Sequence, residues 1–289
     1  MPVPYPFKKV GTAMAFSPYA EANLHESARI AQMLGAELIL IHVGKETSQK
    51  LEKLNTMVSQ TVMDPKRVKI EFREGDAVKS ILESCEENGI DLLIAGAEKK
   101  ENLLKFYTGS VARKLCRKAK CSILLLTDRS VIRNKCKEIV VSGDNHRKTE
   151  DTVRTANYFG KVLGAEHITI VDEIDPQKTT QKADDDLQTL QSARKRRQLK
   201  LEEDQRINTL EAKLQEEDSV PVNHKCIFGK PGYTIGHFAA ANRADLLVMH
   251  SPDSKLGIMD RVFTHDLEYV LSDLPCCLMI VNQTRNQIA

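Results

Sequence analysis

The sequence predicts two consecutive doubly wound α/β domains, each with a parallel sheet covered by helices on both faces. The motif Leu-Gly-Ala-Glu occurs at 34–37 and again at 163–166, each time followed by an apolar strand. A second pair of matching segments begins at Gly75 and at Gly229, and both end in Asp-Leu-Leu. Between these motifs, short strands rich in Ile, Val and Leu alternate with helical stretches, which is typical of a parallel sheet buried on both sides.

Each copy begins with a strand, a helix and a second strand. The corresponding segments are 10–15, 22–34 and 38–43 in the first copy and 139–144, 151–163 and 167–172 in the second. Apolar closing strands follow at 121–127 and 276–281. The 289 residues are long enough for two domains, which we place at 1–132 and 133–289.

The second copy carries an insertion at about 177–219. The stretch from Thr179 to Asp218 contains no Gly or Pro and consists mostly of good helix formers, so one long helix is expected. Its apolar stripe is thin, which leaves two interpretations open: a projecting, mostly solvated helix, or a helix that docks a partner protein. The basic run at 194–197 is flanked by acidic runs, and we interpret it as a charge-paired helix surface.

Composition excludes several classes of partner. The formal net charge is +2, with charges of both signs interspersed, so neither nucleic acid nor an anionic membrane is expected as a partner. We find no signal peptide and no apolar run of membrane-spanning length. Seven cysteines without a Cys-x-x-Cys pair indicate reduced, buried thiols, and we expect a cytoplasmic protein.

The most informative motif follows the apolar strand that ends at residue 95. It reads Gly96-Ala-Glu-Lys99, then nine residues, then Gly109-Ser110-Val111. A strand that opens into a glycine, a polar loop and a Gly-Ser pair at the start of a helix presents backbone N–H groups to a phosphate. These residues therefore predict a nucleotide site. The alternative is that the glycines only permit a tight turn from strand to helix.

This spacing resembles the phosphate loop of the universal stress protein family. The Leu-Gly-Ala-Glu motif, His42-Val43, Gly75-Asp76 and the closing strand from Cys121 also fall in the family's order, and because both halves are covered the chain resembles a tandem member. The resemblance implies five-stranded parallel sheets of the adenine nucleotide α-hydrolase-like type. It also implies ATP, with Mg²⁺, on this loop, adenine at the backbone of Val43, and a pseudo-dimer within one chain.

The first half departs from the family pattern at two positions. Lys99 replaces the second loop glycine, and Ala15 stands where nucleotide-binding members have an acidic residue. A lysine removes close backbone approach but adds a positive charge. We therefore expect phosphate binding to survive more easily than recognition of the nucleoside.

The second half departs from the family pattern in the opposite way: it keeps the acidic residue and lacks the loop glycines. Asp144 occupies the acidic position, but the loop reads His250-Ser-Pro-Asp253, followed by Phe263-Thr264, or by Thr264-His265 in the alternative register. Every expected glycine is absent, and an aspartate repels phosphate. We expect no ordinary ATP site in this half.

The sequence gives little indication of metal binding, cysteine chemistry or catalysis. The eight histidines form no metal-binding motif, and His42, at the end of a buried strand, is expected to be a satisfied structural histidine. Cys276 and Cys277 should point to opposite faces of the closing strand. No nucleophile with a base can be assembled from neighbouring motifs, so an enzyme is not expected, beyond weak ATP hydrolysis.

We therefore expect a stress-response regulatory or adaptor module that binds adenine nucleotide in its first domain. The alternative is a nucleotide-free scaffold that binds an unknown protein partner through the helix of Thr179 to Asp218. The two closing strands should pair, because this covers an open sheet edge, and a homodimer is also open.

Overall fold

A computed structural model describes residues 7–99, 106–107, 109–127, 135–176, 186–215, 219–252 and 261–282. The chain divides into two compact units. The first comprises Met1–Lys135 with Cys276–Ala289, and the second comprises Cys136–Pro275.

The first half alternates strands and helices as predicted. Its elements are β1 (Lys9–Ala13), α1 (Ala20–Leu34), β2 (Glu37–Val43), α2 (Ser48–Ser59), a 3₁₀ turn (Pro65–Arg67), β3 (Val68–Arg73), α3 (Ala77–Asn88), β4 (Leu92–Gly96), β5 (Glu98–Lys99), β6 (Phe106–Tyr107), α4 (Ser110–Lys118) and β7 (Ser122–Leu126).

The second half repeats this alternation with a much longer helix after its second strand. Its elements are β8 (Glu138–Ser142), α5 (Thr149–Leu163), β9 (His167–Ile174), α6 (Asp186–Gln215), β10 (Val222–Phe228), α7 (Tyr233–Ala241), β11 (Leu246–His250), α8 (Arg261–Ser272) and β12 (Cys277–Val281).

The sheet of the first unit has the order β12-β7-β4-β1-β2-β3. Five of its strands, from β7 to β3 in this order, are mutually parallel. β12 pairs antiparallel with β7, with Met279 opposite Leu124, so the two closing strands pair as expected. The Nδ2 atom of Asn282 adds hydrogen bonds to the carbonyl oxygens of Ala119, at 3.0 Å, and Cys121, at 2.8 Å.

The sheet of the second unit has the order β10-β9-β8-β11, and all four strands are parallel. β8 and β11 form its most buried part: every residue of β11 and all but the first of β8 are buried. Continuous apolar runs of this kind occur where helices cover both faces of a sheet.

Two elements of the repeated sequence have matching structural roles. Gly35 and Gly164 end α1 and α5 in the left-handed conformation, with φ of 65° and 72°, which favours glycine. Asp91 accepts hydrogen bonds on Oδ2 from the backbone N–H groups of Lys8 and Lys9. Asp245 does the same for residues 137 and 138, so each Asp-Leu-Leu motif holds the start of the neighbouring first strand.

The expected inserted helix is present, but the projecting interpretation fits only part of its surface. Leu190 and Leu201 are 60% and 53% exposed. Ile207 and Leu214 are only 1% and 2% exposed, because the second half of α6 packs against α5, β9 and β10. Residues 177–185 and 216–218 of the predicted insertion lie outside the described residues.

All seven cysteines are free thiols, but the expectation of general burial was wrong for three of them. Cys136, Cys226 and Cys277 are half-buried. Cys226 lies on the edge strand β10, where its thiol donates to Oδ1 of Asp204 on α6 at 3.1 Å. Burial and this acidic neighbour raise the pKa of Cys226 to about 12, so it remains a thiol at neutral pH.

Candidate functional site

The first unit has a cleft edge where the carboxyl ends of β4, β1 and β2 lie side by side. Gly96 ends β4 and Val43 ends β2, with β1 between them. The backbone N–H of Met14 donates to the carbonyl of Ile41 at 2.9 Å, which ties the end of β1 to β2. The fold therefore brings two of the predicted site residues to one edge, where ligands of open α/β sheets bind.

The other predicted residues lie at the start of α4. Gly109 is the N-cap, and it has no side chain with which to cap the helix itself. Ser110 and Val111 follow, and both are exposed. Because the first N–H groups of a helix lack intrahelical acceptors, the start of α4 offers backbone donors together with the positive end of its dipole.

The backbone torsions test the alternative that the two glycines only permit a tight turn from strand to helix. Gly109 has φ −58° and ψ 162°, a conformation open to any residue. Gly96 lies within β4, paired with Leu126. The backbone conformation of Gly109 and the strand pairing of Gly96 therefore do not by themselves require glycine, which argues against the turn-only alternative.

The loop between β4 and α4 contains a short hairpin that the sequence analysis did not predict. Glu98 pairs with Tyr107 and Lys99 with Phe106 in antiparallel register. The backbone of Lys99 is thus held in β5, while its side chain lies outside the described part, as do residues 100–105 and 108.

His42, one residue before Val43, is only half satisfied, so the expectation of a fully satisfied histidine was wrong. Its Nδ1 atom lies 3.0 Å from the carbonyl oxygen of Met14, which fixes Nδ1 as the donor. Nε2 is buried without a hydrogen-bond partner. A Cβ atom on Gly44 would lie 3.0 Å from Nε2, and Gly44 also has φ of 154°, so both space and conformation require glycine there.

The second unit has a cavity of about 270 Å³ at the carboxyl ends of β8, β9 and β11, beneath α6. Five of its lining residues are carboxylates: Asp144, Asp172, Glu173, Asp175 and Glu203. The others are mostly apolar or small: Ser142, Asn145, Ile174, Leu199, Pro231, Met249, His250, Pro252 and Leu267. This lining suits a cationic ligand and repels a phosphate.

Asp144, the acidic residue predicted for a nucleoside, is already engaged. Its Oδ2 atom lies 2.9 Å from Nε2 of His250, and Thr149 donates to its Oδ1 at 3.2 Å. Burial acts to raise the pKa of Asp144, but the hydrogen bond and charge of His250 outweigh it and hold that pKa below its usual value. Burial likewise opposes the charge of His250, yet Asp144 raises its pKa, so the two form an ion pair at mildly acidic pH.

Asp172 lies in an environment that disfavours its charged form. Burial, followed by the charge of Glu203, raises the pKa of Asp172 to about 7. Its Oδ2 atom has no hydrogen-bond partner, although Nη2 of Arg206 lies 3.3 Å away. Arg206 instead donates from Nε to Glu203 at 2.6 Å and from Nη2 to the carbonyl of Gly143.

Lys148 and Glu173 are charged residues that make several hydrogen bonds to backbone groups in this region. Lys148 is buried and donates from Nζ to the carbonyl oxygens of Ser251, at 2.8 Å, and Pro252, at 3.2 Å. Glu173 accepts the backbone N–H groups of Gly232 and Ile235 at 2.9 and 2.7 Å, which caps α7. The hydrogen bonds of Lys148 tie the buried lysine to the residues that follow β11.

The absence of an ATP site in the second half stays a prediction. Asp253 lies outside the described residues. Residues 263–265 fall in α8, where only the backbone is described. Within the described ranges, no cluster of three His, Cys, Asp or Glu residues is arranged to hold a metal ion. None of the helices described combines the length and apolar character needed to cross a bilayer.

Comparisons with known proteins agree with this architecture. The sequence profile of the universal stress protein family matches residues 44–127 and 136–282. Among solved structures, a functionally unknown protein from Pseudomonas aeruginosa PAO1 is 14% identical, with a TM-score of 0.71 over 95% of this chain and 92% of that chain. A universal stress protein from Archaeoglobus fulgidus DSM 4304 is 14% identical, with a TM-score of 0.65 over 97% and 98%.

A search of curated proteins gave no match. The structural similarities, at this level of identity, establish the fold alone. The two sequence matches, which together span most of the chain, identify its family: this chain belongs to the universal stress protein family.

Proposed function

We propose that this universal stress protein is a cytoplasmic regulatory module of the stress response whose first unit binds adenine nucleotide. The observation that carries the proposal is the N-terminus of α4, which begins at a glycine and follows the end of β4 at Gly96. Gly96, Lys99, Gly109, Ser110 and Val111 would hold the phosphates. The backbone of Val43 would face adenine, and Mg²⁺ would accompany ATP.

Phosphate contacts dominate this site. A helix N-terminus favours an anion by roughly 0.3–1 kcal/mol, and by up to about 2 kcal/mol where the geometry is partly buried. By contrast, the position that would recognise the nucleoside, two residues after β1, is Ala15, which has no hydrogen-bonding side chain. Affinity should therefore fall steeply from ATP through ADP to AMP, with adenosine weakest.

ATP acts here as an effector and not as a substrate. The titratable side chain beside the predicted adenine position is His42, whose Nδ1 is committed to the carbonyl of Met14. Its Nε2 atom is buried close to Gly44. His42 is therefore not available as a base to activate water, and hydrolysis should be weak at most.

Calorimetry with ATP, ADP and AMP in the presence of Mg²⁺ tests the proposal on the intact chain. Gly109→Val keeps a conformation that valine adopts without strain but places a branched side chain against the phosphates. Lys118→Ala, at the opposite end of α4, is the matched control. Binding lost in the first variant and kept in the second supports the proposal, whereas no binding to the unaltered chain contradicts it.

The exposed first half of α6 favours a second candidate, a scaffold that acts without nucleotide. Leu190 and Leu201 are largely exposed, and so are all four residues of the basic run at 194–197. β12 already covers the edge of β7, so a second copy would dock on α6 rather than at that edge. Sedimentation of Leu190→Gln/Leu201→Gln tests this: a dimer that becomes a folded monomer supports it, and an unchanged state argues against it.

A further inference from the structure

The second unit has a ligand cleft whose charge is opposite to what a nucleotide needs. We propose that the cavity beneath α6 binds an aliphatic amine cation of the polyamine class. The proposal is independent of nucleotide binding in the first unit, because every residue that carries it belongs to the second.

The charge of the lining is the first argument. Five carboxylates line the cavity, and the imidazole of His250 is the one lining side chain of the opposite kind among the residues described. Arg206 neutralises part of this charge through Glu203 and Asp172, and His250 pairs with Asp144. Inside a cavity the effective dielectric constant is lower than in water, so the remaining negative charge attracts a cation strongly.

Asp172 supplies a second, independent argument. It is only 3% exposed, and no hydrogen bond from the described residues reaches its buried Oδ2 atom. Nη2 of Arg206 lies 3.3 Å from this atom and forms an ion pair with it, but the hydrogen bond of Nη2 goes to the carbonyl of Gly143. An acceptor position on a buried carboxylate oxygen is costly to leave open, and an ammonium N–H reaching this carboxylate would fill it.

The remaining walls determine the kind of cation. Ile174, Leu199, Met249 and Leu267 give the cavity apolar walls that suit methylene groups. In the described ranges no group of side chains is arranged to hold a metal ion. At about 270 Å³ the cavity is slightly smaller than the roughly 300–1,000 Å³ typical of drug-sized ligands, so a slender alkyl amine fits better than a nucleotide.

The inserted helix builds part of this site. Leu199 and Glu203, both from α6, line the cavity, and Arg206, one turn further along, ties α6 to the loop at Gly143. The ligand would therefore contact the insertion directly. Its binding should stabilise the docked half of α6.

The pH dependence of amine binding gives a second test of the proposal, because Asp172 can also bind a proton. The groups that face Asp172 are Glu203 and Arg206 on α6, Asp144 after β8, and Cys226 on β10. With the pKa of Asp172 raised to about 7, a cation competes with a proton near neutral pH. Affinity should fall about tenfold from pH 8 to pH 6, with proton release on binding.

The test is calorimetry of the full chain with spermidine at pH 8 and 150 mM NaCl. The net charge of only +2 limits non-specific attraction of a polycation. Asp172→Asn should weaken binding at least tenfold. The matched control is Glu166→Gln, an exposed carboxylate near the start of β9, which should bind as the unaltered chain does.

A second variant covers the case in which Asp172→Asn fails to fold. Leu199→Lys places a tethered ammonium in the cavity, and it should abolish spermidine binding while raising the melting temperature. The proposal is overturned if spermidine does not bind, or if both variants bind it as the unaltered chain does. It is also overturned if Mg²⁺ or ATP, and not the amine, is the ligand lost in Asp172→Asn.

Discussion

The two candidate clefts lie at corresponding strand ends of one repeated fold, yet the groups described at them differ in character. The first is bordered by Gly96 and by the start of α4 at Gly109. The second is lined by five carboxylates, with its buried lysine, Lys148, held by backbone carbonyl groups. The fold determines where each cleft lies, whereas the few residues after each strand determine which ligand it suits.

The connection from the second to the third strand accounts for much of this difference. In the first unit it is α2, of 12 residues. In the second unit it is α6, of 30 residues, which brings Glu203 and Arg206 to the strand ends. The insertion thus changes the chemistry of the cleft as well as the length of the helix.

The largest expected effect is a difference in stability between truncating a buried and an exposed side chain of α6. Ile207→Ala removes a side chain that is 1% exposed, and a substitution of this kind costs about 2–5 kcal/mol. Leu201→Ala, on the exposed half, should change stability by less than about 0.5 kcal/mol. Urea denaturation of both variants tests this, and equal losses would contradict the docking of the second half.

The next prediction concerns the pH dependence of the stability that His250 and Asp144 contribute in the second cleft. His250→Ala removes the partner of Asp144 and should cost about 1.5–3 kcal/mol, the range for a hydrogen bond to a charged group. His250 has a raised pKa, so its contribution is full below 6.5 and is lost as pH rises through the folded-state value. Asp144 has a lowered pKa, so its contribution is full above 3.8 and is lost as pH falls through the folded-state value.

The destabilisation by His250→Ala should therefore be greatest between about pH 4 and pH 6.5 and smaller at pH 9. Denaturation of the variant and the unaltered chain across this range measures it. A loss that does not vary with pH would show that the two residues do not form an ion pair.

The smallest expected effect concerns the loop lysine of the first cleft. Lys99→Ala removes one positive charge and should weaken ATP binding about threefold to tenfold, which corresponds to about 1 kcal/mol. Spermidine binding should be unchanged. Calorimetry with both ligands measures this, with Lys118→Ala as the control, and equal weakening by both lysine variants would point to a general charge effect.

The repeated sequence predicted most of the fold, because its motifs have local roles. Gly35 and Gly164 end equivalent helices. The strands of both units are apolar runs that need both faces covered. The hairpin of β5 and β6 was missed since each strand has only two residues, too few to show an alternating pattern.

The candidate sites were predictable to different degrees. Gly109 and Ser110 follow one strand closely enough to form a linear motif. For the second cleft, Asp172, Glu173 and Asp175 at the end of β9 were a visible signal that was not used. Glu203 comes from the insertion, and a thin apolar stripe could not show which face of α6 packs on the sheet.

The central claim is that the two clefts select ligands of opposite charge. It is tested most directly by titrating ATP with Mg²⁺, and separately spermidine, into Gly109→Val and Asp172→Asn. We predict that Gly109→Val loses only ATP and that Asp172→Asn loses only spermidine. Loss of both ligands in a folded single variant, or ATP binding that survives Gly109→Val and disappears in Asp172→Asn, would contradict the claim.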